Sequence, residues 1–162
     1  MLKVDIYINI LKSGKKYIMR VIIGFVCIGN SCRSQMAEGF ANHYGGRSLE
    51  VCSAGTYPAA IVSQDAVLVM KEKGIDISRQ YPKGLLDIPQ EFDILITMGC
   101  GVECPFLPAH YREDWGIEDP VVLPLEEFRN IRDVIETKVQ SILELIRSSE
   151  DKEALMDRLK KR

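Results

Sequence analysis

The sequence predicts an α/β fold, a three-layer, doubly wound sheet of about four parallel strands, and three features support it. An apolar run from Val21 to Val26 leads through a short loop directly into a helical segment. The stretch FDILITM, Phe92 to Met98, has the length and composition of a buried strand. Helical and strand-like segments alternate between and beyond these two. Such alternation indicates parallel strands joined by right-handed crossovers.

The other elements follow from hydrophobic periodicity and from the glycines that end helices. They are predicted helices at Gln35 to Tyr44, Ser63 to Lys73 and Leu125 to Arg147, a strand at Ser48 to Cys52, and a short helix after Pro82. The longest helix carries a continuous apolar stripe, which indicates core packing. We therefore expect one domain over residues 19–147, preceded by an extension at 1–18 that is strand-like or disordered. Residues 148–162 are expected to form a charged tail, frayed or solvent-exposed.

Composition limits the class of function. The chain has 162 residues, of which 46% are hydrophobic and 27% are charged, as in ordinary soluble globular proteins. Its net charge of −2 offers no general attraction to nucleic acid or to anionic lipid. No apolar stretch approaches the roughly 20 residues that span a bilayer. The five cysteines are an odd number, and two lie in one loop, so reactive thiols in the cytoplasm fit better than a disulfide framework.

The loop after the first strand has the composition of an oxyanion site. Cys27 and Arg33 enclose five residues, and a helix follows at once. Backbone N–H groups at a helix N-terminus favour an anion, and the arginine offers a planar fork for two of its oxygens. The predicted substrate-binding residues are Ile28, Gly29, Asn30, Ser31, Cys32, Arg33 and Ser34.

Cys27 is the candidate nucleophile of this loop. Cysteine thiols at helix N-termini or beside arginine have pKa values lowered from about 8.5 to roughly 3.5–7.5, which gives a thiolate at neutral pH. Ser34 could donate a hydrogen bond to that thiolate or cap the helix. The simpler alternative is a turn in which Cys27 and Cys32 act as small buried hydrophobes.

At these residues the chain resembles the low-molecular-weight protein tyrosine phosphatase superfamily, whose loop has the form Cys, five residues, Arg, Ser. The longer string CIGNSCRSQMAEGF is most similar to its thioredoxin-coupled arsenate reductase branch. The resemblance continues through SAGTYP, ITMGCGVECPFLP and EDWGIEDP and covers about residues 19–147. It implies a contact between Ser53 and the loop asparagine, Asn30. It also implies that Asp119, in EDWGIEDP, is the general acid that protonates the departing oxygen.

The resemblance further implies a relay of thiols. Cys100 would attack Cys27 and release arsenite, and Cys104 would then attack Cys100. Cβ atoms four residues apart on a helix are about 5–6 Å apart, whereas a disulfide needs roughly 3.5–4.5 Å, so this segment must rearrange. The two outer cysteines lie farther apart in the best-known members of the branch. A small thiol could therefore replace the Cys100 to Cys104 step, and a structural or zinc-binding role for this pair is the alternative.

Some members of the branch bind potassium through groups that correspond to Asn30, Glu38 and Ser53, together with an aspartate. Lys83 takes the position of that aspartate here. A lysine ammonium supplies the same positive charge, so we expect no metal, no other cofactor and no potassium dependence.

Three functions remain open on the sequence alone. Arsenate reduction with thioredoxin or a small thiol as reductant is favoured, because phosphoester hydrolysis needs no thiols at Cys100 and Cys104. A phosphatase is the main alternative, although Val121 and Val122 stand where phosphatases of the superfamily commonly carry two tyrosines. A non-catalytic oxyanion binder or redox sensor is the third.

Overall fold

The structure is a computed structural model and describes residues 19–99 and 107–162. The predicted extension at 1–18 and the predicted relay cysteines, Cys100 and Cys104, lie outside the described residues. The strands are β1 (Val21–Cys27), β2 (Leu49–Gly55), β3 (Phe92–Thr97) and β4 (Ala109–Asp114). The α-helices are α1 (Arg33–Gly45), α2 (Gln64–Glu72), α3 (Leu125–Ser148) and α4 (Lys152–Lys160), and Leu85–Asp87 and Pro120–Val122 form short 3₁₀ turns.

The four strands form one parallel sheet in the order β2-β1-β3-β4. In its register Ile23 lies beside Val51 on one side and Ile94 on the other. The predicted α/β class and the parallel sheet are therefore confirmed. Because β1 is central and all strands run the same way, the loops that leave β1, β2, β3 and β4 converge at one edge of the sheet, where Cys27 ends β1.

Alternate residues of β1 point to two separate clusters of core residues. Ile23 and Phe25 belong to the larger cluster, to which all four α-helices contribute buried side chains. Val26 belongs to a smaller cluster on the opposite face, with Ile88 and Leu107. The sheet is thus covered on both faces, which is why its central strands are almost continuously apolar.

Two predicted boundaries were wrong by a few residues in ways that affect the site. Helix α1 begins at Arg33 and not at Gln35, so Ser34 lies in its first turn and is not its cap. Strand β2 extends to Gly55, so Ser53 lies within the strand and does not follow it. The loop after β1 is consequently shorter and more constrained than the sequence suggested.

Strand β4 was missed in the sequence analysis. Its residues, AHYRED, alternate between half-buried and exposed positions, as expected of a strand at the edge of a sheet. A polar edge strand lacks the apolar run that identified its neighbours. The acid motif EDWGIEDP therefore begins at the end of a fourth strand, which lies beside β3 and two strands from β1 in the sheet.

The expectation of a frayed tail after residue 147 was wrong. Helix α4 is separate from α3 and is capped by Asp151, whose side chain accepts a hydrogen bond from the Ala154 N–H. Leu155 and Leu159 are 0% and 1% exposed and belong to the main core. Lys152 also binds both carboxylate oxygens of the buried Asp93, at 2.8 and 2.9 Å. This helix was missed in the sequence analysis because its two core residues, Leu155 and Leu159, lie among many charged residues.

None of the helices in residues 19–99 and 107–162 is long and apolar enough to cross a membrane.

Candidate functional site

The loop between β1 and α1 has its carbonyl groups turned outward. Four of these carbonyl oxygens accept hydrogen bonds from backbone N–H groups that follow β2, at 2.8–3.2 Å. The N–H groups donate in chain order, Thr56 to Cys27, Tyr57 to Ile28, Ala59 to Gly29 and Ser63 to Ser31. In a planar trans peptide the C=O and the following N–H point in opposite directions. The loop N–H groups therefore face its concave side, together with the N-terminus of α1. This is an anion-binding geometry.

The sulfur of Cys27 lies inside this concavity and receives two polar contacts. The Asn30 N–H donates to Sγ at 3.1 Å, and the Ser34 Oγ lies 2.9 Å from Sγ. The Cys27 side chain is 3% exposed. A backbone N–H and a hydroxyl group thus both contact the sulfur, an arrangement that suits a cysteine nucleophile.

Asn30 holds the loop in shape through all of its polar groups. Its backbone adopts a left-handed conformation with φ of 46°, which asparagine tolerates better than most residues. Its side-chain Nδ2 donates to Ser34 Oγ and to Ser53 Oγ, both at 2.8 Å. The contact between Ser53 and Asn30 that the resemblance implied is thus present. Gln35 Nε2 donates to both the backbone and the side-chain oxygen of Asn30, at 3.0 Å.

Gly55 allows the loop to pack against the end of β2. A Cβ atom at this position would lie 2.4 Å from the Ile28 carbonyl oxygen and 2.9 Å from the Asn30 nitrogen. Both are backbone atoms of the loop, so no side-chain movement could relieve the overlap. Glycine is therefore required here for the loop to reach its hydrogen-bond partners after β2.

Arg33 is buried, and one of its three guanidinium nitrogens has no hydrogen-bond partner among the described residues. Its Nη1 donates to the carbonyl oxygens of Met98 and Ile117, at 3.2 and 2.8 Å, and its Nη2 binds Asp119 Oδ2 at 2.7 Å. Its Nε is buried and has no hydrogen-bond partner in the described structure. A buried guanidinium N–H without a partner is costly, and an oxyanion in the loop would satisfy it.

Asp119 is held beside that guanidinium at the entrance to the site. Its side chain is 44% exposed, and its second oxygen caps the Pro120–Val122 turn by accepting from the Val121 N–H. Val121 and Val122 are 60% and 90% exposed. The carboxyl group is thus placed next to the arginine and within reach of solvent, as a proton donor to a bound oxyanion must be.

Lys83 places its ammonium group beside the Glu38 carboxylate, among the residues that the resemblance related to a potassium site. Its Nζ lies 3.2 Å from Glu38 Oε2, and Ser53 Oγ donates to the same oxygen. The Asn30 side-chain oxygen already accepts the Lys83 N–H at 2.7 Å. These groups are paired with one another, and therefore they do not fit a potassium site.

Exchanging potassium for sodium is accordingly expected to leave both turnover and the melting temperature unchanged, because the Lys83 ammonium already neutralises Glu38. As a control, Lys83→Met should lower the melting temperature, since it leaves the largely buried Glu38 carboxylate without its partner. A specific gain in stability or turnover with potassium would contradict this assignment.

The other described cysteines are held as neutral thiols. Cys32, directly before α1, is 2% exposed, and burial raises the pKa of its thiol. Burial, assisted by the Glu38 carboxylate, raises the pKa of the Cys52 thiol to about 12. Cys52 is thus unreactive at neutral pH.

The raised pKa of Cys52 gives a pH prediction. Above about pH 8.5 the unfolded chain loses this proton, whereas the folded protein keeps it until near pH 12, so stability must fall as pH rises through that window. The Cys52→Ala variant should lose stability less steeply. Urea denaturation at several alkaline pH values measures how the free energy of unfolding of each protein changes with pH. The tyrosines and lysines also titrate in this range, but they are common to both proteins and cancel in the comparison. Parallel curves for the two proteins would contradict the assignment.

The structure brings together all the predicted site residues that it describes. Cys27, Asn30 and Ser34 form one hydrogen-bonded group, and Arg33 joins this loop to Asp119. Within the described residues, no group of three or more His, Cys, Asp or Glu side chains could hold a metal ion. Several supporting residues were missed in the sequence analysis, namely Gln35, Gln80, and the Thr56 to Ser63 segment that fixes the loop. The only signal for them was the motif SAGTYP, which contains Gly55 and the first residues of that segment.

A parallel α/β sheet whose central strand ends in a buried, hydrogen-bonded cysteine and an arginine-lined anion loop defines a class of oxyanion-processing proteins with a cysteine nucleophile. A sequence model described as low molecular weight phosphotyrosine protein phosphatase matches residues 22–153. The chain belongs to this family.

Several of the similar proteins are arsenate reductases. An arsenate reductase of Staphylococcus haemolyticus is 41% identical over 124 residues, which are 74% of this chain and 93% of that protein. A structure described as an arsenate reductase in the phosphate binding state superposes with a TM-score of 0.73 at 38% identity, over 79% of this chain and 99% of that one. The thioredoxin-dependent arsenate reductase of Corynebacterium glutamicum has a TM-score of 0.66 at 30% identity, over 90% of this chain and 71% of that one.

Proposed function

We propose that the protein reduces arsenate to arsenite with electrons from its own thiols, which an external thiol reductant then restores. The observation that carries this proposal is the contact set of Cys27. Its sulfur receives the Asn30 N–H and the Ser34 hydroxyl contact inside a loop of inward N–H groups. Two of the arsenate reductases match this chain over 93% and 99% of their own lengths, and this supports arsenate as the oxyanion.

The first step is attack on arsenate by the Cys27 thiolate. The loop N–H groups and Arg33 hold the oxyanion, and the buried Nε of Arg33 gains the partner it lacks. An S–As bond forms and an As–O bond breaks. Asp119, beside the guanidinium, gives a proton to the departing oxygen, which leaves as water. Arsenic remains pentavalent at this stage.

The second step transfers two electrons. The Cys100 thiolate attacks the Cys27 sulfur, the S–S bond forms and the S–As bond breaks with its electron pair on arsenic. Arsenite, with trivalent arsenic, is released, and the two cysteines are oxidised to a disulfide. Gly99 lies immediately before Cys100 and is close to the carbonyls that hold Arg33, which supports Cys100 as the attacking thiol.

The third step regenerates Cys27. Cys104 attacks Cys100, which releases the Cys27 thiolate and moves the disulfide to Cys100 and Cys104. A dithiol protein such as thioredoxin, or a small thiol, reduces this bond and carries away the two electrons. The thioredoxin-dependent relative from Corynebacterium glutamicum supports the first of these reductants. Such a relay works only where thiols are kept reduced, so we place the protein in the cytoplasm.

Phosphoester hydrolysis is the second candidate, because Cys27, Arg33 and Asp119 suffice for it. The family itself is named for phosphotyrosine phosphatases, and this supports the candidate. The exposed Val121 and Val122 weaken it, since they offer no aromatic surface to a phosphotyrosine ring.

One assay separates these functions. The protein is incubated with arsenate and either the thioredoxin system or a small thiol, and arsenite release is followed beside hydrolysis of p-nitrophenyl phosphate. Our proposal expects arsenite release that continues for many turnovers only when a thiol reductant is present. Hydrolysis without arsenite release would favour the phosphatase. Tight oxyanion binding without any turnover would favour a binder or sensor.

A further inference from the structure

Two loops touch through their backbones beside Arg33. Gly99 follows β3 and Gly116 follows β4, and both have positive φ, 79° and 60°. A Cβ atom on Gly99 would lie 2.5 Å from Gly116 Cα and 2.9 Å from the Ile117 nitrogen. Contacts below 3.0 Å with backbone atoms cannot be accommodated, so the two loops approach this closely only because residue 99 has no side chain. We call this contact the glycine crossing.

The carboxylate of Asp114, the last residue of β4, fastens the glycine crossing. Its Oδ1 accepts hydrogen bonds from Thr97 Oγ1 at 3.0 Å, from the Gly99 N–H at 2.5 Å and from the Gly116 N–H at 3.4 Å. One charged oxygen thus binds both glycines of the crossing. Charge-assisted hydrogen bonds of this kind are stronger than neutral ones.

The carbonyls that orient Arg33 flank the crossing on both sides. Met98 immediately precedes Gly99, and Ile117 immediately follows Gly116. Both carbonyl oxygens accept from Arg33 Nη1, and the Ile117 N–H also donates to the Met98 oxygen at 3.1 Å. The direction of the guanidinium, and with it the free Nε, is therefore set by how closely the two loops meet.

We propose that Asp114 is a positioning residue that fixes Arg33 for oxyanion binding by fastening the glycine crossing. It acts on the anion through Arg33 and does not touch the anion itself. The inference rests on the proposed function only in taking the loop as an oxyanion site. It is therefore tested with inorganic phosphate, which requires no reduction.

The first test measures phosphate binding by titration calorimetry for Asp114→Ala, Asp114→Asn and Glu113→Ala. Asp114→Ala is expected to weaken phosphate binding by about fivefold to tenfold, and Asp114→Asn by less, because its amide oxygen still accepts hydrogen bonds. Glu113→Ala is the matched control, since this neighbouring carboxylate contacts only the Tyr111 hydroxyl among the hydrogen bonds found for it.

The sign of the change separates positioning from simple charge. Loss of a negative charge near an anion site tightens anion binding through space. Weaker binding in Asp114→Ala, with unchanged or tighter binding in Glu113→Ala, therefore supports positioning. Equal or tighter binding in Asp114→Ala would overturn the proposal.

The second test compares Gly99→Ala with Gly116→Ala. Both substitutions carry the strain of positive φ, but a Cβ at Gly116 meets no atom within 4 Å. Gly99→Ala should therefore weaken phosphate binding far more than Gly116→Ala does. Equal effects would overturn the proposal. Should wild type bind phosphate but fail to reduce arsenate, the proposed function would fail while this inference would stand.

Discussion

Replacement of Cys27 by serine is expected to abolish both arsenate reduction and p-nitrophenyl phosphate hydrolysis, with losses of at least about 10⁴-fold. The reason is that a serine hydroxyl in the same position is not ionised, although Asn30 and Ser34 would still contact it. Phosphate binding should survive, because the loop N–H groups and Arg33 remain. Turnover assays and calorimetry on the same preparation measure both properties.

Cys52→Ser is the matched control for this variant, because Cys52 lies in β2 as a neutral thiol outside the loop. It should retain nearly all activity. Comparable inactivation of the two variants would show that the loss comes from disturbed folding. Residual reduction in Cys27→Ser would exclude this sulfur as the nucleophile.

Replacement of Cys100 by serine is expected to separate the two reactions. Arsenate reduction should fall to about 1% or less, because the variant lacks the thiolate that attacks the Cys27 sulfur and releases arsenite. Hydrolysis of p-nitrophenyl phosphate should stay within about twofold of wild type, because it uses only the loop, Arg33 and Asp119. Hydrolysis thus serves as the internal control for folding.

Cys104→Ser distinguishes two versions of the relay. Loss of thioredoxin-coupled turnover, with one arsenite still released per molecule, would assign Cys104 to the third step. Full turnover would mean that the reductant attacks the Cys27 to Cys100 bond directly.

For the Cys100→Ser variant, equal loss of arsenate reduction and of hydrolysis would contradict an electron-relay role of Cys100.

The sequence was sufficient where local chemistry decides the structure. The apolar run from Val21 predicted a strand, and the spacing from Cys27 to Arg33 before a helix predicted an anion loop. The first follows from burial of apolar residues, and the second from the unpaired N–H groups at a helix N-terminus. The contact between Ser53 and Asn30 came from resemblance. It could not have been derived from spacing, since 23 residues separate the two side chains.

The sequence was insufficient where tertiary contacts decide. The edge strand Ala109–Asp114 has no apolar run, and helix α4 buries only two residues, Leu155 and Leu159, among many charges. The role of Gly99 could not be seen either, because it depends on backbone atoms of Gly116 that are distant along the chain. Burial and close approach of this kind are properties of the folded molecule.

The most direct test of the account is a single-turnover experiment without external reductant. The fully reduced protein is mixed with excess arsenate, released arsenite is counted per protein molecule, and disulfides are located by mass spectrometry of peptides. A thiol relay yields about one arsenite per molecule, and one new disulfide that joins Cys100 to Cys27 or to Cys104. Unchanged thiols with no arsenite, in a protein that binds phosphate and hydrolyses p-nitrophenyl phosphate, would contradict it.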